Sequence, residues 1–180
     1  MTMACRWSGR YVWGVSYNGL NIHSASCPLP EATPEHPLIS RSVVVSTSEA
    51  AEILQRLTAK FTVIYAAGAG YKILCVCDQL VSSYVVSHAN TFKWDTCAPH
   101  AILLAQGGGI VDLQQVIDTA ANHTESASHL AAKCQLCYNR ANDGFSAGSV
   151  DRWSNHGGII AYHDIGVLAD VVASITSCTT

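Results

Sequence analysis

The stretch Trp94-Asp95-Thr96-Cys97-Ala98-Pro99 sets an acid at the mouth of a predicted helix that runs to about Gln106. A helix start carries unpaired N–H groups and partial positive charge, so it suits anions. An acid at that place also holds a cation that bridges to a bound phosphate. The second candidate is Gly68-Ala69-Gly70-Tyr71-Lys72. A glycine pair after a strand lets backbone approach a ligand closely. Lys72 then brings an ammonium to a helix start, and a hydrogen bond to a charged group contributes roughly 1.5–3 kcal/mol. Taken singly, Asp95 would be a helix cap and the glycine pair a tight turn with a solvated lysine.

Other patterns carry less. A dinucleotide fingerprint wants glycine where Ile73 stands. It also wants an acid about 20 residues on, where the chain reads Ser87-His88-Ala89-Asn90. Cys134-x-x-Cys137 has zinc spacing, but a structural site takes four ligands, and His129 or His163 would have to arrive from elsewhere. Cys75-x-Cys77 reads as core packing, and Trp13 and Trp153 read as packing rather than recognition. His100 reads as a core or surface histidine rather than a general base. Asn122-His123-Thr124 matches a glycosylation acceptor, which a cytosolic chain never presents to that machinery.

The elements that must position these residues alternate. Residues 11–17 read as a strand, Asn18-Gly19 as a hairpin turn and residues 20–24 as the returning strand. Four of the five prolines fall in residues 26–41, which predicts a Pro-rich loop. A strand follows at 42–46. Ser46-Thr47-Ser48-Glu49 has the form of a capping box, with a helix to about Thr58. Strands are predicted at 62–66, 81–87 and 110–113, with helices between them. If Thr96 is the N-cap of the helix beyond Asp95, Pro99 stands at its third position, and Gly107-Gly108-Gly109 ends it. A variable loop is expected at about 118–134, last strands at 135–138 and 158–162, and a terminal helix capped by Asp164. Strands alternating with helices after a leading hairpin predict an α/β layered fold with a mixed sheet.

The bulk numbers narrow the function. At 180 residues the chain fits one domain or a large piece of one. Such a chain buries roughly 70% of its unfolded surface. Net charge is −3 and the isoelectric point 6.2, which leaves no basic field for nucleic acid or an anionic membrane. Apolar runs are too short for a membrane span. Eight cysteines without an apolar leader in residues 1–10 read as reduced thiols, Cys75, Cys77 and Cys97 among them in apolar stretches, in a cytoplasmic protein.

Several motifs together carry a resemblance. Trp94-Asp95, Cys97-Ala98, the apolar helix and Gly107-Gly108 resemble the C-terminal signature of the inositol monophosphatase superfamily. Trp13-Gly14-Val15-Ser16-Tyr17 with Asn21-Ile22-His23-Ser24, then Ser46-Thr47-Ser48-Glu49 and Ala66-Ala67-Gly68-Ala69-Gly70-Tyr71-Lys72, are similar to it as well. So are Ile110-Val111-Asp112-Leu113 and Val150-Asp151-Arg152-Trp153 with Gly157-Gly158. The resemblance implies a layered αβαβα sandwich and a magnesium-dependent, lithium-sensitive phosphomonoesterase. Its nearer members remove the 1-phosphate from inositol 1,4-bisphosphate and inositol 1,3,4-trisphosphate. On that likeness Asp95 is a metal ligand, and Ser48, Gly68 and Lys72 line the inositol phosphate. A further lining position falls near Ala50.

The family draws most of its metal ligands from a glutamate pair and an Asp-Pro-apolar-Asp-Gly-Thr segment. This sequence holds no Asp-Pro pair and no two adjacent acids. The expectation is therefore the C-terminal part of a phosphatase domain across residues 1–180, without a complete catalytic set and inactive by itself. A non-catalytic module that binds inositol phosphates, or a fragment without function, is the alternative.

Overall fold

A computed structural model describes residues 12–24, 41–122 and 125–177. The strands β1 (Gly14–Tyr17) and β2 (Leu20–His23) pair antiparallel, with Val15 opposite Ile22 and Tyr17 opposite Leu20. Asn18 and Gly19 join them at φ 46° and 79°. Two positive angles are what a two-residue turn needs to follow the strand twist.

From residue 42 strand and helix alternate: β3 (Ser42–Val45), α1 (Ala51–Thr58), β4 (Thr62–Tyr65), α2 (Ala69–Cys77), β5 (Ser83–Val86), α3 (Lys93–Ala105) and β6 (Gly109–Asp112). Then come α4 (Leu113–Asn122), α5 (Ala127–Lys133), β7 (Ile159–Tyr162) and α6 (Ile165–Thr176). The five-stranded sheet runs β4-β3-β5-β7-β6. β3 is parallel to β4 and β5, and β7 is antiparallel to both its neighbours. The sheet is mixed, as the alternation predicts.

Both faces of the inner strands β3, β5 and β7 are buried, which is why Val43-Val44-Val45 needs no polar alternation. The period of two sends Val43, Val45, Val85, Val111 and Ile160 to one side. There they meet Leu57 of α1, Val116 of α4, Leu130 of α5 and Leu168 and Val171 of α6. Val44, Tyr84, Val86, Ile110 and Ile159 face the other side, against Ile73 and Val76 of α2 and Ile102 and Leu103 of α3. Each fully buried Val, Leu or Ile contributes about 1.5–3 kcal/mol. The hairpin lies on the outside of α3, where a Cβ on Gly14 would come within 2.6 Å of the Ile102 Cα. Trp13, Val15, Tyr17, Leu20 and Ile22 of the hairpin stay exposed. The described residues thus stack as α, β, α and β layers, four of the five expected.

Several local expectations change. Ser46 is not a helix cap: α1 begins after Ala50, and no side chain caps it. The Glu49 carboxylate turns to Ser87 instead. Helix α3 starts at Lys93 rather than beyond Thr96, so Asp95 is its third residue and Pro99 lies well inside. Pro99 lacks the N–H that would meet the Asp95 carbonyl one turn back. The helix ends as the glycines predict, with the Gly107 N–H on the Leu104 carbonyl at 3.1 Å and the Gly108 N–H on the Leu103 carbonyl at 2.8 Å.

Residues 118–134 are mostly helix rather than loop, because Ser126 caps α5 and Leu130 is drawn into the core. Residues 135–138 form no strand; Gln135 makes a single bridge to Val111. Cys97 is exposed, whereas Cys75 and Cys77 are core. Asp164 caps α6, its Oδ1 accepting from Gly166 at 2.7 Å and Val167 at 3.0 Å. The proline stretch up to residue 40 lies outside the described residues, as do His123 and Thr124 of the acceptor motif.

Candidate functional site

Ligands of α/β sheets sit beyond the carboxyl ends of strands, where neighbouring connections leave toward opposite faces. Here that place lies between β3 and β4. The connection after β3 leads to α1 on one face, and the connection after β4 leads to α2 on the other. A hollow of about 340 Å³ opens there, lined by Ser46, Thr47, Tyr65, Gly68 and Lys72 with Ala66 and Ala67.

Gly68 is the N-cap of α2 at φ 80°, a left-handed angle that any side chain would strain. One turn into the helix, Lys72 is only 3% exposed. Its ammonium donates to Ser46 Oγ at 2.5 Å and lies 4.7 Å from the centre of the Tyr84 ring. Burial lowers the Lys72 pKa, and the charge of Glu49 pulls it back up. Burial also pushes the Tyr84 phenol up to about 12; Ser46 opposes this, while Glu49 and Asp95 add to it. Tyr84 therefore feels Asp95 on α3 and carries Lys72 of α2 over its ring.

Asp95 lies in the first turn of α3, as its third residue. Its Oδ2 accepts from the Phe92 N–H at 2.8 Å. A β-bridge from Phe92 to Ser154 and a 2.8 Å bond from the Asn155 N–H to the Thr91 carbonyl hold that helix start. Ser48 is exposed, and its carbonyl meets His88 Nε2 at 2.9 Å. The structure thus brings Gly68 and Lys72 together in one hollow. Ser48, after β3, and Asp95, after β5, follow the carboxyl ends of neighbouring strands but lie outside its lining. Tyr65 and Tyr84 carry no motif, and Ser46 stands out only as the first residue of an apparent capping box; their place at strand ends or on the sheet is what points to the hollow.

Magnesium wants several oxygens near octahedral geometry. Among the described residues no three His, Cys, Asp or Glu side chains gather as a metal-holding group. Asp95 is one such oxygen source, and Glu49 is committed to N–H and hydroxyl donors. The described residues do not by themselves fit a magnesium centre. The cysteine pair gives no zinc site either: Cys134 is buried, 3.9 Å from Thr119 Oγ1, and Cys137 is exposed. His100 is core, with Nδ1 2.8 Å from the Tyr138 hydroxyl and its pKa lowered by burial to about 4.

A larger hollow, about 470 Å³, opens beyond the carboxyl end of β6 among Lys93, Asp112, Lys133, Arg140 and His156. None of Gly68, Lys72, Ser48 and Asp95 lines it. No helix among the described residues is long and apolar enough to cross a membrane.

The chain is similar to inositol polyphosphate 1-phosphatase of Homo sapiens, 42% identical over 170 residues that cover 87% of this chain and 41% of that protein. It is also similar to 3'(2'),5'-bisphosphate nucleotidase 1 of Mus musculus, 32% identical over 127 residues, 69% of this chain and 40% of that protein. The chain spans about two fifths of the length of these curated relatives. The model of the inositol monophosphatase family matches residues 1–161. On that match, which takes in most of the sequence, the chain belongs to the inositol monophosphatase family.

Proposed function

We propose that this chain supplies the phosphate-holding part of an inositol phosphate phosphomonoesterase. Lys72, Gly68 and Ser48 would receive the inositol phosphate, and Asp95 would give one carboxylate to magnesium. On this reading residues 1–180 are the C-terminal part of a single phosphatase domain, working on small inositol phosphates in the cytoplasm. Its substrates would be inositol 1,4-bisphosphate and inositol 1,3,4-trisphosphate, which lose the 1-phosphate in a magnesium-dependent and lithium-sensitive reaction. The remaining carboxylates would come from beyond the described residues, so no hydrolytic step is assigned to these residues alone.

The observation that carries the reading is the buried Lys72 ammonium beside Gly68 in the crevice between β3 and β4. A lysine that could reach water but is instead held at Ser46 and Tyr84 is kept in place at a cost in solvation. A phosphate entering the hollow would offset that cost with a charge-assisted hydrogen bond. Calorimetric titration of the purified chain with inositol 1,4-bisphosphate, without metal, tests this. Saturable heat is expected, and no phosphate should appear when magnesium is added. Absence of binding refutes the cradle, and phosphate release by the chain alone refutes the missing ligands.

A further inference from the structure

We propose that the two hollows that meet at Lys93 form one binding site for a nucleoside phosphate, separate from the Lys72 cradle. Trp94 and Trp153 would take the base, and Lys93, Arg140 and Lys133 the phosphate.

The hollow of about 470 Å³ and a second of about 350 Å³ both have Lys93 in their walls. Cys137 and Ser154 line the first, and their chain neighbours Tyr138 and Trp153 line the second. The two therefore adjoin. Neither shares a residue with the hollow that holds Lys72.

The smaller hollow is aromatic. Trp94 is 55% exposed and stacks on Phe92, with ring centres 4.6 Å apart and planes within 4°. Trp153 has the Arg152 guanidinium 5.6 Å and Lys93 Nζ 6.0 Å from its ring centre. Neither tryptophan joins either core of the sheet. Core packing does not account for them, and flat rings held at a surface are what a base stacks on.

The larger hollow is polar. Lys93 donates from Nζ to the Arg140 carbonyl at 2.7 Å, which brings two cationic residues together. Burial lowers the Lys93 pKa; Cys137 opposes the fall and Arg140 adds to it. Among the described residues neither Arg140 nor Lys133 is paired with a carboxylate. An anion seated among these cations would gain charge-assisted hydrogen bonds.

Asn155 adds a requirement of its own. It is 2% exposed, and its Nδ2 donates to Thr91 Oγ1 at 3.0 Å and to Thr96 Oγ1 at 3.4 Å. Its Oδ1 has no partner among the described residues, although Asn155 lines the hollow. A buried acceptor without a donor is costly, and a sugar hydroxyl is such a donor. Asp112 in the same wall has Oδ1 on the Gln115 N–H at 2.9 Å and is a second acceptor for hydroxyls. A bare anion would use only the cations, and an apolar ring only the tryptophans. Ring, hydroxyls and phosphate in one small molecule describe a nucleotide.

Calorimetric titration of the full chain with adenosine 5'-monophosphate, ribose 5-phosphate, adenosine and inorganic phosphate tests this. The nucleotide should bind saturably, and each of the other three at least tenfold more weakly. Arg140→Gln, which keeps the carbonyl that Lys93 meets, should weaken the nucleotide about tenfold. Trp153→Leu should do the same and leave ribose 5-phosphate binding as it was. Trp94→Leu, at the more exposed ring, decides the matter should Trp153→Leu fail to fold. Lys72→Met should bind the nucleotide as the parent does. Absence of saturable nucleotide binding, or inorganic phosphate held as tightly as the nucleotide, overturns the proposal. So does binding that is lost in Lys72→Met and kept in Arg140→Gln, which would put the nucleotide in the other hollow.

Discussion

The ammonium of Lys72, from α2, lies 4.7 Å from the ring of Tyr84, from the central strand β5, which itself belongs to the core packed against α2 and α3. A cation on an aromatic face gains from the ring quadrupole, the more so away from water. Helix α2 thereby registers against the sheet through a charged side chain rather than an apolar one. That is a costly choice for packing alone.

Lys72→Met separates packing from binding. It should weaken inositol 1,4-bisphosphate binding about tenfold or more while leaving the melting temperature unchanged or higher. The sign follows from burial, which lowers the Lys72 pKa in the fold. Such a group favours the folded state above the ordinary lysine value and disfavours it as pH falls below the lowered one. At neutral pH its charge is a burden on stability. Melts of parent and variant at neutral and alkaline pH check this, and a large loss of stability at neutral pH would refute it.

His100 should give the fold an acid limb. Its pKa is lowered to about 4 by burial, against 6.5 in an unfolded chain. The stability it confers is complete above the unfolded value and is lost as pH falls toward the folded one. Between about pH 7 and pH 5 the loss should be about 2 kcal/mol. Urea unfolding at both pH values measures it, and His100→Gln should flatten the difference.

Gly14→Ala should cost about 1–3 kcal/mol, since the new methyl meets helix backbone that has little room to give. The hairpin should loosen first. Limited proteolysis should cut near residues 18–19 faster in the variant than in the parent. Equal rates would mean that the hairpin does not depend on this close approach.

Asp164→Ala removes the acceptor for two N–H groups at the start of α6. The expected cost is about 1 kcal/mol, or about 2–4 °C in melting temperature for a chain of this size. The adjoining pair with His163, 3.0 Å apart, is half exposed on the aspartate side and should add little.

Local chemistry in the sequence reveals some of this fold and hides the rest. Asn18-Gly19 and Asp164 were readable because turn and cap need only their own neighbours. The alternation of strands and helices foretold a mixed sheet. Glu49 misled: three residues after Ser46 it imitates a capping box, yet its partners sit at Ser87, on a strand end the spacing cannot reach. The start of α3 moved to Lys93 because the bridge between Phe92 and Ser154 ends the extended segment there. Gly68 and Lys72 stood out as a strand-glycine-helix pattern. Ser46, read as a helix cap, and Tyr84, in unremarkable strand sequence, hold the lysine and become neighbours only when β3 and β5 pair.

Gly14 gives the hairpin one more property. With no side chain between strand and helix, nothing cushions a push on Trp13, Val15 or Tyr17 before it reaches Ile102. The helix so pressed is the one whose opening turn bears Asp95. Whatever leans on those outward side chains leans on that helix, one turn beyond the break that Pro99 makes in its hydrogen bonds.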